Sequence, residues 1–109
     1  MPTCRLDERL PDVQRRVREA SWDTCIVVND ANVVLGRLGR GALSADEDTK
    51  AEAVMTPGPS TVRPSIELGA IAARLRERKL TSALVTTSDG RLVGVLLRAD
   101  AERRLEQAE

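Results

Sequence analysis

Histidine, tyrosine and phenylalanine are absent from this chain of 109 residues, which has a single tryptophan and two cysteines. Without histidine there can be no Ser-His or Cys-His catalytic pair. Structural zinc would have only Cys4 and Cys25 as sulfur ligands, so no metal site is expected. One tryptophan leaves no row of aromatics on which bases could stack. The 17 Lys+Arg balance the 17 Asp+Glu, so no overall field draws the chain to nucleic acid or to a membrane surface. The N-terminus lacks the apolar stretch of a signal peptide, and no apolar run approaches the roughly 18 residues of a membrane span. A cytoplasmic location is expected, where reducing conditions favour free thiols at Cys4 and Cys25 over a disulfide. What remains suits a folded chain: 41% of residues are apolar and 31% charged. The length allows one compact domain, or two very small ones sharing a core.

Laid against itself, the sequence matches at one constant offset of 58 residues, without a gap, from Cys4–Leu43 onto Val62–Ala101. Identities fall at Arg5/Arg63, Leu10/Leu68, Arg16/Arg74, Arg18/Arg76, Glu19/Glu77, Val27/Val85, Gly36/Gly94, Leu38/Leu96 and Arg40/Arg98. Apolar character is also kept at Val13/Ile71, Val17/Leu75, Trp22/Leu80, Cys25/Ala83, Ile26/Leu84, Val34/Leu92 and Leu35/Val93. The two halves should therefore fold alike.

Each half presents the same succession of signals. Leu68, Ile71, Ala72 and Leu75 stand at i, i+3, i+4 and i+7, the stripe of an amphipathic helix, and Leu10, Val13, Val17 and Ala20 repeat it. Pro11 lies in the first turn of its helix, where a missing N–H costs little. A short β-branched run follows, Cys25–Val28 or Ala83–Thr87. Next come a turn, Asn29–Asn32 or Ser88–Gly90, and a second apolar run, Val33–Leu38 or Leu92–Leu97, which together predict a β-hairpin. Short opening strands are expected at Thr3–Leu6 and Thr61–Arg63, and closing helices at Arg40–Ala45 and from Arg98 to about Leu105. The unit is β-α-β-β-α, an α/β (α+β) fold.

Residues 1–46 form the first repeat and 59–109 the second, with 47–58 a linker that begins in an acidic stretch. Thr49 and Glu52 have the spacing of a capping box, predicting a small helix Lys50–Met55 ended by Pro57-Gly58-Pro59. At roughly 45 residues neither half can cover its sheet alone, so the two should pack face to face about a pseudo-twofold axis.

These residues resemble a tandem pair of CBS domains, the regulatory repeat named after cystathionine beta-synthase and called a Bateman module when paired. The resemblance is carried by Val54-Met-Thr-Pro57, Thr61-Val-Arg-Pro64, the Leu68–Leu75 helix, Ala83-Leu-Val-Thr86, Ser88–Gly94 and Val95–Asp100. The first half matches through its offset to the second more than through motifs. It has no Met-Thr-Pro opening, and Asn32 stands where the turn glycine is usual.

The resemblance implies a non-enzymatic module that binds AMP, ADP, ATP or S-adenosylmethionine in clefts between the repeats and passes on occupancy as a change of shape or association. It implies a homodimer joined through helical faces, a regulated protein as a further partner, and no cofactor beyond such a regulatory ligand. It also places an Asp at the start of a closing helix on the ribose hydroxyls, with a Ser or Thr three residues earlier. Asp100 is that Asp, Leu97 occupies the place of the hydroxyl, and Gly39 and Ala42 stand at the corresponding positions of the first half. A carboxylate can accept from two vicinal hydroxyls, so the assignment is chemically sound.

The pocket facing Asp100 would be lined by Cys4, Arg5, Thr24, Cys25 and Ile26, with Arg98 beside it. The second cleft, which lacks the Asp, maps onto Thr61, Val62, Ser82, Ala83, Leu84 and Arg40. Asp23 stands where a phosphate-gripping cation is common and would repel a phosphate, which disfavours a triphosphate. Trp22, the lone aromatic, is the best single candidate for a dimer surface. The alternative is a degenerate pair that binds no nucleotide and serves as a dimerisation or partner-binding unit.

Overall fold

The computed structural model describes residues 1–45 and 48–107. The chain divides into two compact units, Met1–Pro59 and Ser60–Glu109.

In the first unit, β1 (Thr3–Cys4) leads to α1 (Leu10–Glu19), followed by the hairpin of β2 (Cys25–Val28) and β3 (Val34–Leu38). After α2 (Arg40–Leu43) come α3 (Ala51–Val54) and β4 (Thr56–Pro57). The sheet order is β1-β2-β3-β4, with β1 parallel to β2 and the other neighbours antiparallel. Three of the four residues of the predicted α1 stripe are buried; the fourth, Ala20, is the exposed C-cap just past the helix, at the turn where the chain leaves it. Leu10, Val13 and Val17 are covered, and the two valines join Cys4, Cys25, Val27, Leu38 and Ala51 in a continuous apolar cluster. Full burial of an aliphatic side chain of this size stabilises by roughly 1.5–3 kcal/mol, so the stripe is the main reason this segment holds as a helix.

The second unit repeats the plan with β5 (Thr61–Val62), α4 (Leu68–Glu77), β6 (Ser82–Thr86), β7 (Leu92–Leu97) and α5 (Arg98–Gln107). Its sheet has three strands in the order β5-β6-β7, so β7 is an edge. Val62, Ile71 and Leu75 centre its core, with Ile66, Leu68, Ala83, Val85 and Leu96 partly buried around them. Glu102 of α5 takes an ion pair from Arg76 of α4 at 3.0 Å.

Matching positions adopt matching backbone. Both long helices end in the same motif: Trp22 N–H donates to Val17 O and Ser21 N–H to Arg18 O, as Leu80 N–H does to Leu75 O and Lys79 N–H to Arg76 O. Ser21 and Lys79 both lie in the left-handed region. These are Schellman caps, and the apolar residue after the turn folds back on the helix, which accounts for the Trp22/Leu80 correspondence. In the hairpins, Asn32 (φ 65°) and Gly90 (φ 86°) supply the positive φ that the turn requires. Arg5 reaches Asp30 in one hairpin turn, and Arg63 donates to the Thr87 carbonyl in the other.

Some boundaries differ from expectation. The opening strands are two residues each, and α2 stops at Leu43, where Gln14 Nε2 takes the carbonyls of Leu43 and Ala45 at 2.7 and 2.9 Å. The Thr49/Glu52 capping box does not form: Lys50 is the N-cap of α3 and no side chain caps it. The backbone is claimed by the body of the unit instead. Leu10 N–H donates to Thr49 O, Ala51 N–H to Glu8 O and Glu52 N–H to Leu6 O. The stretch 47–58, read from sequence as linker, contributes α3 and β4 to the first unit.

Candidate functional site

Asp100 sits in the first turn of α5, where a carboxylate is favoured by the helix dipole. Arg103, Arg104 and Gln107 follow at i+3, i+4 and i+7 and share its side of the helix. Together with Leu68, Val95, Leu96 and Leu97, this stripe encloses a recess of about 880 Å³. The Asp100 side chain is about half exposed, and its Oδ1 lies 3.3 Å from Nη1 of Arg103. Asp100 and Leu97 were expected at the site. Leu68, Val95, Arg103, Arg104 and Gln107 were not singled out, although the helical spacing from Asp100 carries the signal for the last three.

Arg98 lines a separate recess of about 260 Å³ with Thr81, Ala99 and Glu102. Its guanidinium is engaged: Nη1 donates to Leu80 O at 3.2 Å and Nε lies 3.8 Å from Glu102 Oε1. Thr61, Val62, Ser82 and Ala83 line a pocket of about 50 Å³, large enough for water and far too small for a nucleoside. Leu84 is buried and does not line it.

Of the candidates in the first unit, Cys4, Cys25 and Ile26 are fully buried. Cys4 and Cys25 are free thiols that meet in the core. The Cys4 thiol is pushed far above the ordinary thiol range, first by its hydrogen bond to Cys25 and then by burial. Thr24 is buried as well, donating to Leu38 O and accepting from Arg37 Nε, both at 3.1 Å. Arg5 is paired with Asp30. Arg40 Nε lies 2.9 Å from Asp23 Oδ2, so the carboxylate expected to repel a phosphate instead neutralises the nearest repeated arginine. Trp22, half-buried, lines a groove of about 420 Å³ with Val17, Leu43, Arg18 and Arg40.

Residues 51–106, just over half of the sequence, match the CBS domain family, and the chain belongs to that family. Its fold is that of a CBS pair. One similar structure is the CBS-pair protein CBSX2 from Arabidopsis thaliana, 24% identical over 99% of this chain and 87% of that one, with a TM-score of 0.84. Another is the cytosolic domain of the Mg²⁺ channel MgtE in complex with ATP, 24% identical over 95% of this chain, with a TM-score of 0.83; this chain spans 44% of that structure's length. A CBS domain pair in complex with 5′-methylthioadenosine and S-adenosyl-L-methionine is 14% identical over 99% of this chain and 90% of that one, with a TM-score of 0.80. Among curated protein sequences none matches. Among the described residues, no helix is long and apolar enough to cross a membrane, and no group of three or more His, Cys, Asp or Glu could hold a metal ion.

Proposed function

We infer that the chain is a regulatory module that senses an adenosine-containing ligand, one of AMP, ADP, ATP or S-adenosylmethionine, and signals occupancy by a change of shape or of association as a homodimer. The observation that carries this reading is the position of Asp100. Its half-exposed carboxylate stands in a recess of about 880 Å³, beside apolar Val95 and Leu97 and two arginines. That volume lies within the roughly 300–1,000 Å³ of small-molecule sites. A carboxylate accepting from two vicinal hydroxyls selects a ribose, Arg103 and Arg104 offer cations to a phosphate, and the leucine and valine side chains offer apolar area to a base. Solved structures of the same fold in complex with ATP and with S-adenosyl-L-methionine support the ligand class.

A second reading, a pair that binds no nucleotide and serves association alone, is favoured by two observations. Leu97 presents an exposed apolar side chain where a hydroxyl would assist the ribose, and Arg40 is already neutralised by Asp23. Calorimetric titration with adenosine, AMP, ADP, ATP and S-adenosylmethionine separates the two. The sensing reading expects binding by at least one of them, weakened about tenfold or more by Asp100→Ala as expected for loss of a charge-assisted pair of hydrogen bonds. Silence from all five at millimolar concentration would overturn it.

A further inference from the structure

The repeat offset pairs Arg16 of α1 with Arg74 of α4, and the two arginines are served differently. In the first unit the chain supplies the counter-charge itself. Arg16 Nη2 donates to Glu8 Oε1 at 2.5 Å, and its Nη1 donates to the carbonyl of Thr3 on β1 at 2.7 Å. Moved by the offset, Thr3 becomes Thr61 and Glu8 becomes Ile66. The second unit therefore keeps the arginine and the threonine strand, but in place of the carboxylate it has an apolar side chain packed against its core.

Arg74 and Thr61 both line the pocket of about 50 Å³ bordered by α4, β5 and β6. Arg78, one turn further along, lines it too, where the first unit has Ala20. Ser60, Thr61 and Ser82 bring hydroxyl-bearing side chains to the same pocket, and among the described residues no carboxylate lines it. Neither guanidinium has a hydrogen-bond or ion-pair partner among those residues. The end of α4 does not compete for them, because the carbonyls of Arg74, Leu75 and Arg76 already accept from the N–H groups of Arg78, Leu80 and Lys79. Two cations and three hydroxyls thus border one hollow that contains no anion of the chain's own. The hollow shares no residue with the Asp100 recess.

We propose that this pocket binds a small tetrahedral oxyanion, free phosphate or sulfate, beside Arg74 in the role that the Glu8 carboxylate plays beside Arg16. Size and donor count define the class. One water needs about 10–15 Å³ of such space, so 50 Å³ suits roughly four oxygens. A guanidinium fork takes two oxygens of an anion, and hydroxyls donate to the others. A carboxylate, with two oxygens in one plane, satisfies a single fork, whereas a tetrahedral anion presents acceptors to α4 and to both strands. Because Arg74 and Arg78 are exposed, salt screens the attraction and the expected dissociation constant is about 1 mM. The proposal is independent of adenosine binding, and either can fail alone.

The test is an amide NMR titration of the full-length protein with sodium phosphate and with sodium sulfate, at an ionic strength held constant with chloride. Saturable shifts are expected at Thr61, Arg74, Arg78 and Ser82. Arg74→Ala and Arg78→Ala replace exposed side chains, so each should keep the fold and weaken binding about tenfold or more. AMP, which carries the same group on a nucleoside too large for the pocket, should leave these amides unmoved. Absence of saturation at tens of millimolar, shifts that chloride reproduces, or equal binding by Arg74→Ala would overturn the proposal. Equal shifts with AMP would overturn it in favour of a nucleotide phosphate. Loss of binding in Arg104→Ala with Arg74→Ala unaffected would also overturn it, since the ion would then lie in the Asp100 recess.

Discussion

The sulfur of Met55 lies directly against the α-carbon of Gly36, so that a Cβ there would overlap it and stand 3.0 Å from the Thr56 carbonyl oxygen. The same substitution at the two repeated glycines should therefore have opposite results. Gly36→Ala forces Met55 and β4 outward and should cost about 1–3 kcal/mol, the usual range for overpacking. Gly94→Ala meets no atom and should be neutral or stabilise by up to about 1 kcal/mol through the unfolded chain. Urea denaturation of the two variants checks the asymmetry, and equal effects would contradict it.

Thr86 is 1% exposed, and its hydroxyl finds no hydrogen-bond partner among the described residues. The matching residue in the first unit is Val28, also buried. A buried, unsatisfied hydroxyl costs roughly 1–3 kcal/mol, and valine keeps the shape without it. Thr86→Val should raise stability by about 1 kcal/mol, seen as a higher denaturation midpoint at unchanged slope. The reverse change, Val28→Thr, should lower it.

Glu8 receives Arg16 Nη2 and the backbone N–H of Arg5, and the Arg16 guanidinium holds its carboxyl below the ordinary value of 4.5. A carboxylate depressed in the folded state binds protons more readily when unfolded, so its contribution is complete above the ordinary value. It is lost as pH falls through the folded one. Because Arg16 is 43% exposed, solvent screening keeps the contribution under about 1 kcal/mol. Glu8→Gln should thus be slightly less stable than the parent at pH 7. The two denaturation curves should converge in acid, and a gap that widened there would refute the pairing.

Cys4 and Cys25 are both buried; the hydrogen bond between them shifts Cys4 away from ionisation and Cys25 towards it, so burial is what shields both sulfurs from a reagent in water. Ellman's reagent should therefore find essentially no thiol in the folded protein and both thiols in denaturant, with the native reaction limited by unfolding. A rapid native reaction would show that the pair is accessible.

Much of the fold could be read from the residues because the repeat doubled every signal. The stripes Leu10-Val13-Val17 and Ile71-Ala72-Leu75 became the buried faces of α1 and α4, with Leu68 only partly covered, and the positive φ came at Asn32 and Gly90 where the turn chemistry asks for it. What escaped depended on partners far along the chain. Thr56–Pro57 is a two-residue strand that includes a proline, and it exists only because β3 offers an edge. The Thr49/Glu52 spacing was a sound local signal, overridden when Leu10 and Leu6 took up the neighbouring backbone. At the candidate site, Asp100 was visible through its family pattern, and the arginines beside it through helical spacing. Leu68 joins them only through the three-dimensional fold.

Ser21 and Lys79 hold φ angles of 59° and 56°, and neither is glycine. A side chain in this region costs about 1–2 kcal/mol, yet both copies retain the turn with different residues in it. At this position the repeat is therefore kept in torsion angles where it is lost in letters. Anyone searching a longer polypeptide for a further copy of this unit should look past the turn residue. The better marker is the bulky apolar side chain one place later, which locks the helix end whatever precedes it.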